Sequence, residues 1–217
     1  MELSLPPAIV HAASGLDTTQ LVALAAALGW ASGLRLYAVV FLTGLAGWLG
    51  WVTLPAGLQV LQHPALLIAS GLMLGVEFFA DKLPWVDSLW DAVHTFIRIP
   101  AGAALAAGVF GADAGTWTLA AALLGGGLAA TAHVAKATTR AAVNTSPEPF
   151  SNLGLSLLGD AAVPAMLWLA WAHPVLFFAA LAVALVVMAA LIVLLFRFVR
   201  GLAGRLRQHF GASAARA

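Results

Sequence analysis

Residues 174–196, "PVLFFAALAVALVVMAALIVLLF", run without a single charged, amide or hydroxyl side chain. A helix crosses the hydrocarbon core of a bilayer with about 20 apolar residues. This stretch is therefore long enough to span a membrane and too apolar for the surface of a soluble domain. Five more runs share its character: 21–50, 63–80, 97–112, 116–136 and 153–172. The first is interrupted by "GWASGLR" (29–35), which predicts a tilt or a break. The third is short unless the amphipathic residues before it continue the same helix. Only 9% of the 217 residues are charged and 62% are hydrophobic, whereas soluble domains carry about 25% charged residues. The chain cannot cover a water-facing surface. It is expected to be an all-α, polytopic membrane helix bundle of about six spans.

Composition also excludes some chemistry. With no cysteine, disulfides, thiolate catalysis and cysteine-held metals are out. A net charge of +1 gives no reason to expect a nucleic-acid partner. The first twenty residues hold Glu2 and Asp17 but no Lys or Arg, unlike a secretory leader. The expected organisation is a short N-terminal cytoplasmic segment (1–20), a transmembrane domain (21–196) and a basic C-terminal cytoplasmic tail (197–217). Six spans place Lys82, Arg98, Lys136, Arg140 and the tail arginines on one side, which the positive-inside rule makes cytoplasmic. Both ends of the chain would then lie on that side.

Against this apolar background, charge is concentrated in two segments. In "EFFADKLPWVDSLWDAVHTFIR" (77–98), Asp87, Asp91, His94 and Arg98 recur at i, i+4, i+7 and i+11 and share one helical face. Glu77 and Asp81 form a further i, i+4 pair, followed by Lys82. Residues 84–98 are expected as a helix at the membrane interface or re-entering it, with Pro84 in its first turn and its charges turned toward protein. In "HVAKATTRAAVN" (133–144), His133, Lys136, Arg140 and Asn144 make a second stripe. One stripe is mostly acidic and the other basic, so the two are expected to face each other across a cavity. Arg35 sits inside the first span without a nearby carboxylate, and Asp160 is its natural partner. The loop "NTSPEPFSN" (144–152) adds Ser146, Glu148 and Asn152 as polar groups able to hold an ion or headgroup. The order of span, polar segment and span occurs twice, which points to an internal duplication of a kind transporters use.

"EFFADKLPWVDSLWDAVHTFIRIPAGA" together with "KATTRAAVNTSPEPFSN" resembles a family of bacterial membrane proteins catalogued as domain of unknown function 4126, over residues 20–195. The resemblance implies a bacterial inner (plasma) membrane protein and carries no activity or catalytic residue with it.

Ionisable groups inside a membrane mark ion and substrate pathways by default. The expected function is a small permease or channel, proton- or cation-coupled, acting on a small solute or ion in contact with membrane lipid, with room for homo-oligomer formation. The alternative is a membrane-embedded enzyme acting on a lipid phosphate or headgroup. There Asp87 and Asp91 would hold Mg²⁺ or another hard cation, and Lys136 and Arg140 the phosphate.

Overall fold

The computed structural model describes residues 15–83, 85–144 and 150–214. Among them are six α-helices and no strand: α1 (Thr18–Trp48), α2 (Pro64–Ala80), α3 (Val86–Phe110), α4 (Thr116–Val143), α5 (Phe150–Ala172) and α6 (Pro174–Ala214). A 3₁₀ segment (Ala56–Gln62) precedes α2 at a bend of 70°. By length and composition α1, α3, α4, α5 and residues Pro174–Arg197 of α6 could each cross a membrane, and the bent pair makes a sixth. This agrees with the expected bundle of about six spans.

α1 begins with a capping box. The Asp17 side chain accepts from the Gln20 N–H at 2.8 Å, and the Gln20 side chain accepts from the Asp17 N–H at 2.9 Å. Its first half is apolar all round, and Leu21, Ala23, Ala25, Ala27 and Leu28 are sealed from every side. That is the mark of a helix at the centre of a bundle. Helical geometry stops at Arg35, where φ is −148° and ψ 81°.

Two sets of contacts give the direction of each half. Before the break, Gly29 lies on Gly125 and Gly33 on Ala129 and Ala132, so this half runs parallel to α4. After it, Phe41 meets Gly71 and Gly44 meets Leu61 and Leu67, so the second half runs antiparallel to α2. α2 and α4 both finish at the charged end of the bundle. The two halves of α1 therefore run to that end and back, forming a re-entrant hairpin with Arg35 at its tip. The interruption at "GWASGLR" is a reversal, not a tilt.

Two expectations are touched by this path. Residues 84–98 are not a separate interfacial or re-entrant helix. Residues 86–98 form the first half of α3, because Asp87, Asp91, His94, Arg98, Gly102, Leu105 and Val109 make one continuous buried face. Pro100 interrupts no more than one turn of it, as membrane helices tolerate; Pro84 lies outside the described residues. The described residues also start and finish at opposite ends of the bundle, which bears on the expectation that both ends share a side. Residue 18 lies at the end of the bundle away from the charges. α6 instead runs back toward them, since Ala184, Met188 and Leu191 line the same cavity as Arg35. Pro174 does open α6, in the first-turn position where its missing N–H is harmless.

The crossing of α1, α3 and α4 depends on small residues. A Cβ on Gly29 would overlap the backbone of Gly125, and one on Gly125 would strike the Ala106 side chain and Gly102 O. Gly29→Leu should therefore destabilise the detergent-solubilised protein by at least the about 1–3 kcal/mol typical of overpacking, read as a fall in thermal midpoint. Gly127→Leu, whose Cβ meets nothing within 4 Å, should leave the midpoint unchanged.

Candidate functional site

Hairpin geometry delivers Arg35 to the charged end, where it completes a chain of ion pairs. The Asp81 carboxylate receives Arg35 at 3.0 Å, Lys136 at 3.0 Å and Arg140 at 3.5 Å. From Arg35 the chain continues to Asp160 at 2.9 Å and on to Lys82 at 3.1 Å. From Lys136 it continues to Asp91 at 3.1 Å, then to Arg98 at 2.6 Å and Glu77 at 2.7 Å. Arg140 also pairs with Asp87 at 2.9 Å. Five carboxylates and five cations thus alternate in one connected network, neutral as it stands. Glu77, Asp81, Asp87 and Arg98 are fully buried. Every Lys and Arg before residue 197 belongs to it.

Local structure explains how these side chains reach one another. Asp81 follows the last turn of α2 as its cap residue. Asp87 stands in the first turn of α3, where the helix dipole favours an anion. Arg35 lies where helical hydrogen bonding is interrupted, and Lys136 donates to the Leu34 carbonyl beside it at 3.1 Å. Lys82 also sits 3.0 Å above the Phe78 ring centre, a cation–π contact.

Neutral groups tie the network down. Asn152 accepts from Arg140 at 3.0 Å, and Asn144 donates to Asp87 at 2.9 Å and to Ser88 at 3.0 Å. Ser156 accepts from Arg35 through its hydroxyl and its carbonyl, at 3.0 and 3.1 Å. Thr95 donates to the Asp91 carbonyl at 3.0 Å, so it accepts from His133 Nε2 at 2.7 Å. His133 Nδ1 then faces Arg98 at 3.4 Å. On the other flank His94 Nδ1 donates to the Trp90 carbonyl at 2.8 Å, which leaves Nε2 to accept from the Tyr37 hydroxyl at 3.1 Å.

The structure brings together all but two of the side chains expected at the site. Ser146 and Glu148 lie outside the described residues. Arg35 finds Asp160 as its spacing and isolation implied, and gains Asp81 as well. Two expectations are corrected. First, the acidic and basic stripes do not face each other across a cavity; they are in direct contact. The cavity lies beside them. Second, Asp87 and Asp91 do not form a metal site. Asp87 gives its oxygens to Arg140, Asn144 and Ser88, and Asp91 gives Oδ1 to Arg98 and Lys136. Among the described residues no group of three or more His, Asp or Glu side chains could hold a metal ion. The donor set does not fit Mg²⁺, which would have to displace these cations. Sequence reasoning also missed Ser156 and Tyr37. Ser156 had a signal: Asn152, Ser156 and Asp160 are spaced four apart on one face.

The cavity has a volume of about 400 Å³ and lies between the hairpin tip, α4, α5 and α6. At its floor it is lined by Arg35, Asp81, Lys136, Thr139, Arg140 and Ser156. Its walls are apolar, with Trp30, Met166 and Met188 among them.

The chain belongs to the family described as domain of unknown function (DUF4126), whose model matches residues 22–194. Among curated proteins and among solved structures, none matches.

Removing one member of a buried pair strands the other charge, at about 3–5 kcal/mol. Arg98→Met strands Glu77, leaves Asp91 to Lys136 alone, and should lower stability in detergent by about that amount. Adding Glu77→Gln to Arg98→Met should recover part of the loss, as read by denaturant titration. Equal losses for the single and the double variant would show that the two are not coupled.

Proposed function

We propose that this family member is a small membrane permease, proton- or cation-coupled, whose binding site is the cavity at the hairpin tip and whose coupling element is the ion-pair network. The observation that carries this reading is the single alternating network of ten charges, seven of them buried, four of which line that cavity. Stability gives no reason for so many. Buried ion pairs often contribute nothing over well-packed apolar residues of similar volume, whereas ionisable groups inside membranes mark relays and substrate pathways. The broken helix supports the same reading. Secondary transporters place their sites where interrupted helices meet at depth, with free backbone groups and helix ends available. Here the Leu34 carbonyl already serves Lys136. Neutrality matters too: a proton or a charged substrate entering a balanced network must break at least one pair, which links binding to rearrangement.

An orientation follows. Outside the neutralised network, the remaining basic residues are Arg197, Arg200, Arg205, Arg207 and Arg216. The positive-inside rule assigns this tail and the network end to the cytoplasmic side of a plasma membrane. The start of α1, with no Lys or Arg before Arg35, and the segment 49–63 are then on the far side. The alternative, an enzyme acting on a lipid phosphate, has the cations lining the floor in its favour and has no metal-binding set among the described residues.

Two measurements test these statements. A reporter active only outside the cytoplasm should give signal when fused near residue 56 and none when fused at residue 217; the reverse would overturn the orientation. In proteoliposomes under an imposed pH gradient, the wild type should move protons, followed by a trapped pH-sensitive dye. Asp160→Asn keeps side-chain shape and leaves Arg35 its pair with Asp81; it should slow that movement by about tenfold or more, equivalent to about 1.4 kcal/mol in a barrier, at unchanged folded yield. Wild-type rates no higher than those of protein-free vesicles would overturn the proton-coupled reading.

A further inference from the structure

The cavity is two-faced, and its mouth identifies what could enter. Arg35, Lys136 and Arg140 line its floor, with Asp81 the single carboxylate among the lining residues; the other partners of those cations, Asp87, Asp91 and Asp160, do not line it. The floor is therefore locally positive although the whole network is neutral. Above it the lining is apolar, and one group there has no partner. Trp30 is 3% exposed, it lines the cavity, and its Nε1 makes no hydrogen bond. A buried indole N–H without an acceptor is costly, and a ligand oxygen would relieve it. The mouth lies between α5 and α6, and its rim residues Leu158, Val187 and Leu191 are 65%, 51% and 37% exposed on the outer surface of the bundle. In a membrane that surface faces acyl chains, so the route in is lateral, from lipid rather than from water.

Building on the permease reading, we propose that the cavity binds a single-chain amphiphile with an anionic head, a carboxylate or a phosphate. The head would be held by Lys136 and Arg140 with the Trp30 N–H as a further donor, and the chain would leave between α5 and α6. The cavity volume suits it: about 400 Å³ is near the lower end of the about 300–1,000 Å³ of small-ligand sites. One head and the first part of one chain fit; the remainder stays in the bilayer. A fixed positive floor also rejects the cationic analogue, because a like charge meets Lys136 and Arg140.

The test uses the full chain in detergent and three probes of equal chain length: dodecanoate, dodecyl phosphate and dodecyltrimethylammonium. Binding is measured by native mass spectrometry, with 11-bromoundecanoate quenching of Trp30 fluorescence (wild type minus Trp30→Phe) as the positional readout. One or both anions should bind, and which one does distinguishes a carboxylate head from a phosphate head. The ammonium probe should bind about tenfold more weakly or worse. Ala184→Phe fills the cavity wall without touching the network and should weaken anion binding by a similar factor at an unchanged melting temperature. Equal binding of the cationic probe, or anion binding indifferent to Ala184→Phe, overturns the proposal. If proton movement is network-dependent yet no anion binds, this inference fails and the permease reading stands. If the anion binds as described and proton movement matches empty vesicles, the site stands and the proton-coupled permease fails.

Discussion

The Asp81 carboxylate is the point on which the arrangement turns. Three cations converge on it, one from the hairpin tip and two from α4, and it is fully buried. In a low-dielectric interior each of these charges would be prohibitive alone; each is tolerated because the others are there. α2 must therefore end where α4 ends, and α1 must reach the same depth. The register of four helices is fixed by satisfying charge, not by apolar contact, which among lipid-like side chains discriminates poorly between neighbouring registers.

Glycine makes that convergence possible sterically. Arg35 reaches Asp81 because the first half of α1 nestles against α4 at Gly29, Gly33 and Gly125 with almost no side chain between the backbones. The same closeness puts the Leu34 carbonyl within reach of Lys136. Packing and electrostatics thus depend on one another. Separating the helices by a methyl group would lengthen several ion pairs at once.

Much of this was readable in the sequence, for identifiable reasons. The stripe Asp87–Asp91–His94–Arg98 was legible because charges among apolar residues at helical spacing must share a protected face. Arg35 and Asp160 were legible as partners because each was isolated in its own span. The path of α1 was not. No proline marks Arg35, and the Ala/Leu surface of α1 is apolar on all sides, so no periodicity tells which neighbour each half will choose. The reversal comes from tertiary contact with Gly125, Ala129 and Gly71. The metal expectation failed for a related reason. Spacing places two carboxylates on one face, but whether they converge on an ion depends on the cations opposite, here Arg140 for one and Arg98 with Lys136 for the other.

The hairpin also sets an order of events during synthesis. Its tip is made before any of its partners: Asp81 closes α2, Lys136 lies in α4, and Asp160 is in α5. A newly made α1 presents an unpaired guanidinium to the translocation machinery and has no glycine-lined α4 to lean on. It cannot be settled in its final place until most of the chain has followed. The segment at the centre of the finished bundle thus leaves the ribosome before the helices that secure it, so the later helices assemble around a core that they themselves must draw in.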